Sequence, residues 1–269
     1  MPAPHEITPS QLMRLIGTPL CPAIIDVCLP DDFAADPRLI PGARRHSHAD
    51  LPGLIITLKR RSAVIVCQKG RKLSQGVVSA LQAEGIAAEY LKGGVMAWRD
   101  SGAPLVPVAA VPFDDAMQTC WITRARPKID RIACPWLIRR FVDPGARFLF
   151  VAPSEVTAAA QLFGATPFDT EGVDFTHEGD RCTFDVMVER FGLSSPALDR
   201  LALAIRAADT NRHELHPIAA GLLAVSVGLS RQYRNDQAQL EAAMPLYDAL
   251  YRWARDGHEE GHDWPHAGA

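Results

Sequence analysis

Within the first 105 residues the apolar pattern switches period repeatedly, and this alternation constrains the fold more than any other feature. Pro9 to Ile16 has helical spacing, Ala23 to Val27 reads as a buried strand, and Leu54 to Leu58 and Ala63 to Cys67 are β-rich runs. Leu73 to Ala83 returns to helical spacing, with Val77, Val78 and Leu81 on one face. Ala87 to Leu91 is a further strand, and Gly93-Gly94 opens a short helix through Trp98. Strands alternating with helices imply an α/β domain, a parallel sheet with helices on both faces. That domain spans 5–106. Residues 102–118 hold three prolines and little periodicity, which places a linker at 107–118.

The second half has a different pattern. Thr119 to Thr123 and Arg147 to Val151 look like strands. Ile129 to Phe141, Ser154 to Phe163, 183–191, 196–209, 217–233 and 236–255 look like helices. Few strands followed by many helices predict an α+β, mainly helical domain over 119–256. The tail 257–269, with three histidines, is expected to be disordered.

The 269 residues suit two domains, and 48% hydrophobic with 22% charged residues describe an ordinary globular chain. No apolar stretch is long enough to span a bilayer, so no membrane partner is expected. The start, MPAPHEITPSQL, lacks the basic and apolar regions of a secretory signal, so a cytoplasmic location is expected. The six cysteines form no C-x-x-C pair and are expected as free thiols. Residues 1–108 carry 12 Lys+Arg against 9 Asp+Glu, and 109–269 carry 16 against 22. With no basic helical arm either, direct nucleic-acid binding is not expected.

Cys67 is the chemically sharpest residue. It ends an apolar run and is followed by Gln68-Lys69-Gly70-Arg71-Lys72, a Gly-containing cationic turn that enters a helix. A helix N-terminus and three cations favour a thiolate, the nucleophilic form. The same turn can aim successive backbone N–H groups at an anion. The cations point to an accessible, electropositive loop.

Four strings in order carry a resemblance here: Ile25-Asp26-Val27, Ile40-Pro41-Gly42-Ala43, Cys67 to Lys72, and Leu91-Lys92-Gly93-Gly94-Val95-Met96-Ala97-Trp98. Over 5–106 the chain resembles a single rhodanese domain. The resemblance implies a sulfurtransferase. Cys67 would be its catalytic residue, carrying sulfane sulfur as a persulfide, with Gln68, Lys69, Gly70, Arg71 and Lys72 around the anion. It needs no cofactor, a small anionic donor such as thiosulfate, and a thiol acceptor. The chain departs from the family at Lys72, where Arg is frequent, at Leu73, where Ser is common, and at Cys28, where Arg is usual. Asp26 reads as a group that satisfies backbone donors at a strand end.

Residues 119–255 resemble the C-terminal domain of the chromate-resistance protein B (ChrB) family. The carriers are the string from Trp121 to Phe141, then Pro167-Phe168-Asp169, then His177 to Asp185, then Ala208-Asp209-Thr210-Asn211-Arg212. The resemblance implies a role in chromate response. In the residues themselves, Arg124, Arg126, Lys128, Arg131, Arg139 and Arg140 put six cations within 17 residues, against the single carboxylate Asp130. Two readings stand: a site for a dianion such as chromate or sulfate, centred on Arg124, Arg126 and Arg131, or a solvated cationic helix face.

Asp209 extends the apolar stripe Leu198, Ala202, Ile205, and Asp130 shares a face with Ala133 and Leu137. Buried carboxylates are paired or bind metal. With His177 and Glu178 they make a candidate N/O site for iron, manganese or zinc. The competing account pairs a buried Asp130 with an arginine. Two functions follow. One is a sulfurtransferase fused to a metal- or oxyanion-binding module. The other is a non-catalytic sensor of chromate, another oxyanion or a metal.

Overall fold

A computed structural model describes residues 5–58 and 61–261. The histidines at 262 and 266, and most of the tail expected to be disordered, lie outside the described residues. Among those described, no helix is long and apolar enough to cross a membrane.

The first domain runs β1 (Glu6–Ile7), α1 (Pro9–Leu15), β2 (Ala23–Asp26), α2 (Pro30–Ala34), β3 (Arg38–Leu39), β4 (Ala43–Arg45), α3 (Leu51–Leu58), β5 (Ala63–Val66), α4 (Lys72–Ala83), β6 (Ala88–Leu91), α5 (Gly94–Asp100) and β7 (Val106–Pro107). Its five-stranded sheet has the order β1-β6-β5-β2-β4, and every pair in it is parallel. The middle strand β5 is buried throughout, as its run Ala63-Val64-Ile65-Val66 requires when both faces are covered. Ile25, Val27, Ile65 and Cys67 face α3 and α4. Ile24, Val64, Val66 and Leu91 face α1 and α5, where Leu12 and Trp98 fill the layer.

One element reverses the sequence expectation. Leu54 to Leu58 is helix, the last part of α3, and not a strand. Its β-branched run suggested a strand, but Leu54 and Leu58, four apart, are buried while Ile56 between them is 73% exposed. Asp50 starts the helix by accepting the Gly53 N–H at 3.0 Å. The segment expected as linker carries structure of its own. β7 pairs antiparallel with β3, and Val111 is buried.

The second domain runs β8 (Cys120–Arg124), α6 (Asp130–Leu137), β9 (Arg147–Val151), α7 (Val156–Phe163), β10 (Thr166–Pro167), α8 (Thr183–Arg190), α9 (Pro196–Asp209), α10 (Ala219–Gln232) and α11 (Asp236–Arg252). A small parallel sheet, β10-β8-β9, lies beside the helices. α6 and α11 each continue into a wider turn, Ile138–Val142 and Trp253–Gly257.

The two domains share one core. Residues on the α1/α5 side of the first sheet belong to the same buried cluster as Trp121, Trp136, Phe141 and Tyr251. Gly42 donates its N–H to the Phe141 carbonyl at 2.7 Å. Arg44 pairs with the buried Asp143 at 2.8 Å. Gly17, at φ +79°, lets the rings of Phe141 and Tyr251 close on the backbone where any side chain would collide.

Candidate functional site

The first site is the turn after β5. Cys67 is 5% exposed, which corrects the expectation of an accessible thiol. The cations are outside: Lys69, Arg71 and Lys72 are exposed, while Gln68 is half-buried and Gly70 is buried. The Cys67 thiol donates to Ser74 Oγ at 3.2 Å, and that hydroxyl donates to the Arg71 carbonyl at 3.2 Å. The serine, one position later than in the rhodanese pattern, therefore still reaches the sulfur from the first turn of α4.

The turn is clamped from below by α5. Val95 and Met96 donate N–H groups to the carbonyls of Cys67 and Gln68, each at 3.1 Å. Gly70 (φ +61°) lies on the Leu91 carbonyl and the amides of Gly93 and Gly94. These contacts fix the carbonyls and leave the amides. Among the described residues, no backbone N–H from Gln68 to Ser74 donates to a protein acceptor. Seven consecutive donors thus run from the thiol into a helix N-terminus, the arrangement that receives an anion.

At the neighbouring end of β2, Asp26 Oδ1 accepts the Cys28 N–H at 2.7 Å and lies 3.5 Å from Arg45. Burial raises the Asp26 carboxyl above its ordinary range despite those partners. Burial, reinforced by the adjacent Asp26, also pushes the Cys28 thiol well up.

The second site joins four elements of the second domain. His177, in the loop before α8, places Nε2 3.2 Å from Asp209 at the end of α9, 3.5 Å from Asp130 at the start of α6, and 3.4 Å from Asp169 after β10. Asp130, His177 and Asp209 bring one donor atom each within 4.8 Å of one another. Asp169 was singled out in the sequence only as part of a family string. Its signal was a carboxylate directly after the apolar Pro167-Phe168, in a left-handed conformation (φ +49°) that turns the chain inward.

Asp130 is fully buried, and its two oxygens accept the N–H groups of Thr183 (2.7 Å) and Phe184 (3.2 Å), the first turn of α8. The chain leading to it is held by α10 and α11. Ser226 accepts the Ile129 N–H, Tyr247 donates to the Ile129 carbonyl, and Gln239 donates to the Pro127 carbonyl. Burial pushes the Asp130 carboxyl up to about 7. Its hydrogen bond to Asp130, then those to Asp169 and Asp209, push the His177 imidazole up to about 12. Burial works to raise Asp169, but His177, Arg124 and Arg131 outweigh it and hold its carboxyl below the ordinary range.

The remaining predicted residues lie as follows. Glu178 does not join the cluster; it turns outward to Arg181 and Arg190. Arg124 and Arg131 approach the cluster but are engaged by Asp169 at 3.1 and 3.2 Å. Arg126 gives its guanidinium to the carbonyls of Tyr233 and Ser230 and its backbone N–H to the Asp236 carboxylate, away from the His177 cluster. Lys128 lines the cleft above His177 with Asn211 and Leu223. No arginine takes Asp130 as its partner, so the competing account of that carboxylate gives way to the imidazole. Cys134 and Cys182 are buried thiols that burial raises well above their ordinary value.

Comparison with known proteins follows the same division. Residues 8–101 match the family model described as rhodanese-like domain, and residues 121–254 match that described as ChrB, C-terminal domain. Protein ChrB of Cupriavidus metallidurans is 39% identical over 132 residues, which is 49% of this chain and 39% of that protein. The chain therefore spans well under half of that relative. Among solved structures, a rhodanese-like domain protein from Staphylococcus aureus is 30% identical, covering 35% of this chain and 89% of that one (TM-score 0.31). A thiosulfate sulfurtransferase from Pseudomonas aeruginosa is 26% identical, covering 39% of this chain and 20% of that one (TM-score 0.33). Two matched segments in this order make the chain a rhodanese-like domain followed by a ChrB C-terminal domain.

Proposed function

We propose that the first domain is a sulfurtransferase that works through a persulfide on Cys67. The supporting observation is the run of undonated N–H groups from Gln68 to Ser74, which begins at the sulfur and ends in α4. In the first step the Cys67 thiol gives its proton to solvent, and the sulfur attacks the sulfane sulfur of thiosulfate. The new S–S bond forms as the old one breaks, and sulfite leaves with the electron pair. In the second step an acceptor thiolate attacks the terminal sulfur, leaves as a persulfide and restores Cys67. The amides receive the terminal negative sulfur, and Lys69, Arg71 and Lys72 draw the anionic donor to the surface. Mass spectrometry after incubation with thiosulfate tests this. A gain of about 32 Da on the Cys67 peptide is expected, and its absence with an alkylatable Cys67 overturns the reading.

The second domain, in this reading, holds a metal ion between His177, Asp130, Asp209 and Asp169. One imidazole and three carboxylates suit manganese, iron or zinc. The 3.2–3.5 Å spacings from Nε2 to the carboxylate oxygens are those of two ligands on one ion with bonds of about 2.1 Å. A bound ion would supply Lewis acidity or redox chemistry, and the domain's kinship with ChrB supports a link of that chemistry to chromate resistance. Elemental analysis of untagged protein tests the site; protein that carries no metal and takes up none removes it.

A second reading follows from the 5% exposure of Cys67: a sensor in which the turn binds an anion without turnover. Binding of thiosulfate with no added sulfur on Cys67 would select it.

A further inference from the structure

A cavity of about 290 Å³ opens at the junction of the two domains. From the first domain it is lined by Cys21, Arg44 and Arg61, and from the second by Arg139 and Arg140. It sits where β2 begins, whereas Cys67 follows the end of β5. In an all-parallel sheet those are opposite edges, so this cavity is separate from the Cys67 turn. Among the described residues no carboxylate lines it.

Three of the four guanidinium groups are held in place yet keep donors in reserve. Arg44 gives Nη2 to Asp143, leaving Nη1. Arg140 gives Nε and Nη2 to Asp248, leaving Nη1. Arg139 gives Nη1 to Glu241 and Nε to the Ala146 carbonyl, leaving Nη2. Arg61 makes no ion pair and no side-chain hydrogen bond among the described residues. Arg44 lies flat on Gly145, where a Cβ would strike its guanidinium. Three carboxylates outside the lining thus preset three arginines that line one space, and a fourth arginine has no counter-ion among the described residues. Fixed guanidinium forks match the oxygen spacing of phosphate-like groups.

We infer that this cavity binds a small, multiply charged tetrahedral oxyanion group, held by Arg44 and Arg61 of one domain and Arg139 and Arg140 of the other. The ligand bridges the two domains and stabilises the whole chain.

Cys21 reports occupancy, because its thiol lies in the field of Arg61 and Arg140. The full chain is alkylated with a maleimide at constant ionic strength in chloride, phosphate, sulfate or phenyl phosphate, and each cysteine is followed by peptide mass spectrometry. Cys120, also partly exposed, is the internal control. Phosphate and sulfate are expected to slow Cys21 modification about tenfold at roughly ten times their Kd, with Cys120 unchanged. Protection by phenyl phosphate alone would identify a phosphate ester as the ligand within the same proposal. Arg61→Gln, which removes no observed contact, is expected to abolish the protection and leave the melting temperature in chloride unchanged. Equal Cys21 rates in all four salts, or protection undiminished in Arg61→Gln, overturns the proposal.

Discussion

Gly94 lies so close to the carbonyl oxygen of Cys67 that a methyl group at position 94 would collide with it, and its φ of +62° is one that side chains rarely allow. The α5 start and the Cys67 turn are therefore one rigid unit, built from the two glycine-bearing strings. Gly94→Ala is expected to cost about 2 kcal/mol or more, measured by urea denaturation. It should also slow sulfur uptake on Cys67 although the thiol is retained. A variant of wild-type stability and rate would show that the clamp is not needed.

The shared core makes a calorimetric claim. The full chain should unfold in one transition, since Phe141 and Tyr251 of the second domain seat on Gly17 of the first. Gly17→Ala forces a side chain into that seat and is expected to lower stability by about 2–3 kcal/mol. Two well-separated transitions in the wild type would contradict it.

Asp130 serves the fold as well as the cluster. Its removal in Asp130→Ala leaves the Thr183 and Phe184 N–H groups buried without acceptors, at a cost of about 3 kcal/mol. Asp130→Asn keeps one acceptor and should lose roughly half of that, while both variants lose metal uptake. Thermal melts beside metal analysis separate the two effects.

Metal uptake should depend steeply on pH. The His177 imidazole, pushed up to about 12 by its three carboxylates, holds a proton through the neutral range when no ion is bound. An ion on Nε2 must displace it. Apparent affinity for manganese or zinc should thus rise at least tenfold per pH unit between about pH 6 and 8, more steeply below about 7, where the Asp130 proton must leave as well. The sign for stability is opposite. The ion-free protein keeps the full contribution of the imidazolium below 6.5, its ordinary value, and loses it as pH climbs toward 12. A titration with pH-independent affinity would remove His177 from the site.

Glu178 offers the contrasting variant. It is committed to Arg181 and Arg190 outside the cluster. Glu178→Gln should leave the metal content unchanged, whereas Asp169→Asn or Asp209→Asn should lower it. Loss of metal in Glu178→Gln would redraw the site.

Much of this was legible in the sequence, for local reasons. α9 carries its apolar stripe on one face, so its span and the inward place of Asp209 follow from periodicity alone. The Cys67 turn is punctuated by glycines whose positive φ is a local demand. The sequence reads the end of α3 as a strand because a run of five residues with three β-branched side chains cannot distinguish alternation from one helical turn; Asp50, which starts the helix, lies outside that run. The thiol's burial was hidden because charge in a loop reports where the cations go, not where the sulfur goes. Asp169 and Glu178 exchanged roles for a similar reason. Proximity to His177 along the chain favoured Glu178, while a left-handed turn eight residues earlier brings Asp169 into the cluster.

Asp130 is gripped at both oxygens by the opening turn of α8, so its carboxylate has no freedom to rotate toward a guest. An ion in the proposed site would meet a frame that was complete before its arrival. Selection would then rest on radius rather than on accommodation. Ions that require six or more oxygens, calcium among them, find three carboxylates and a ring, and a small ion satisfied with fewer donors has the advantage.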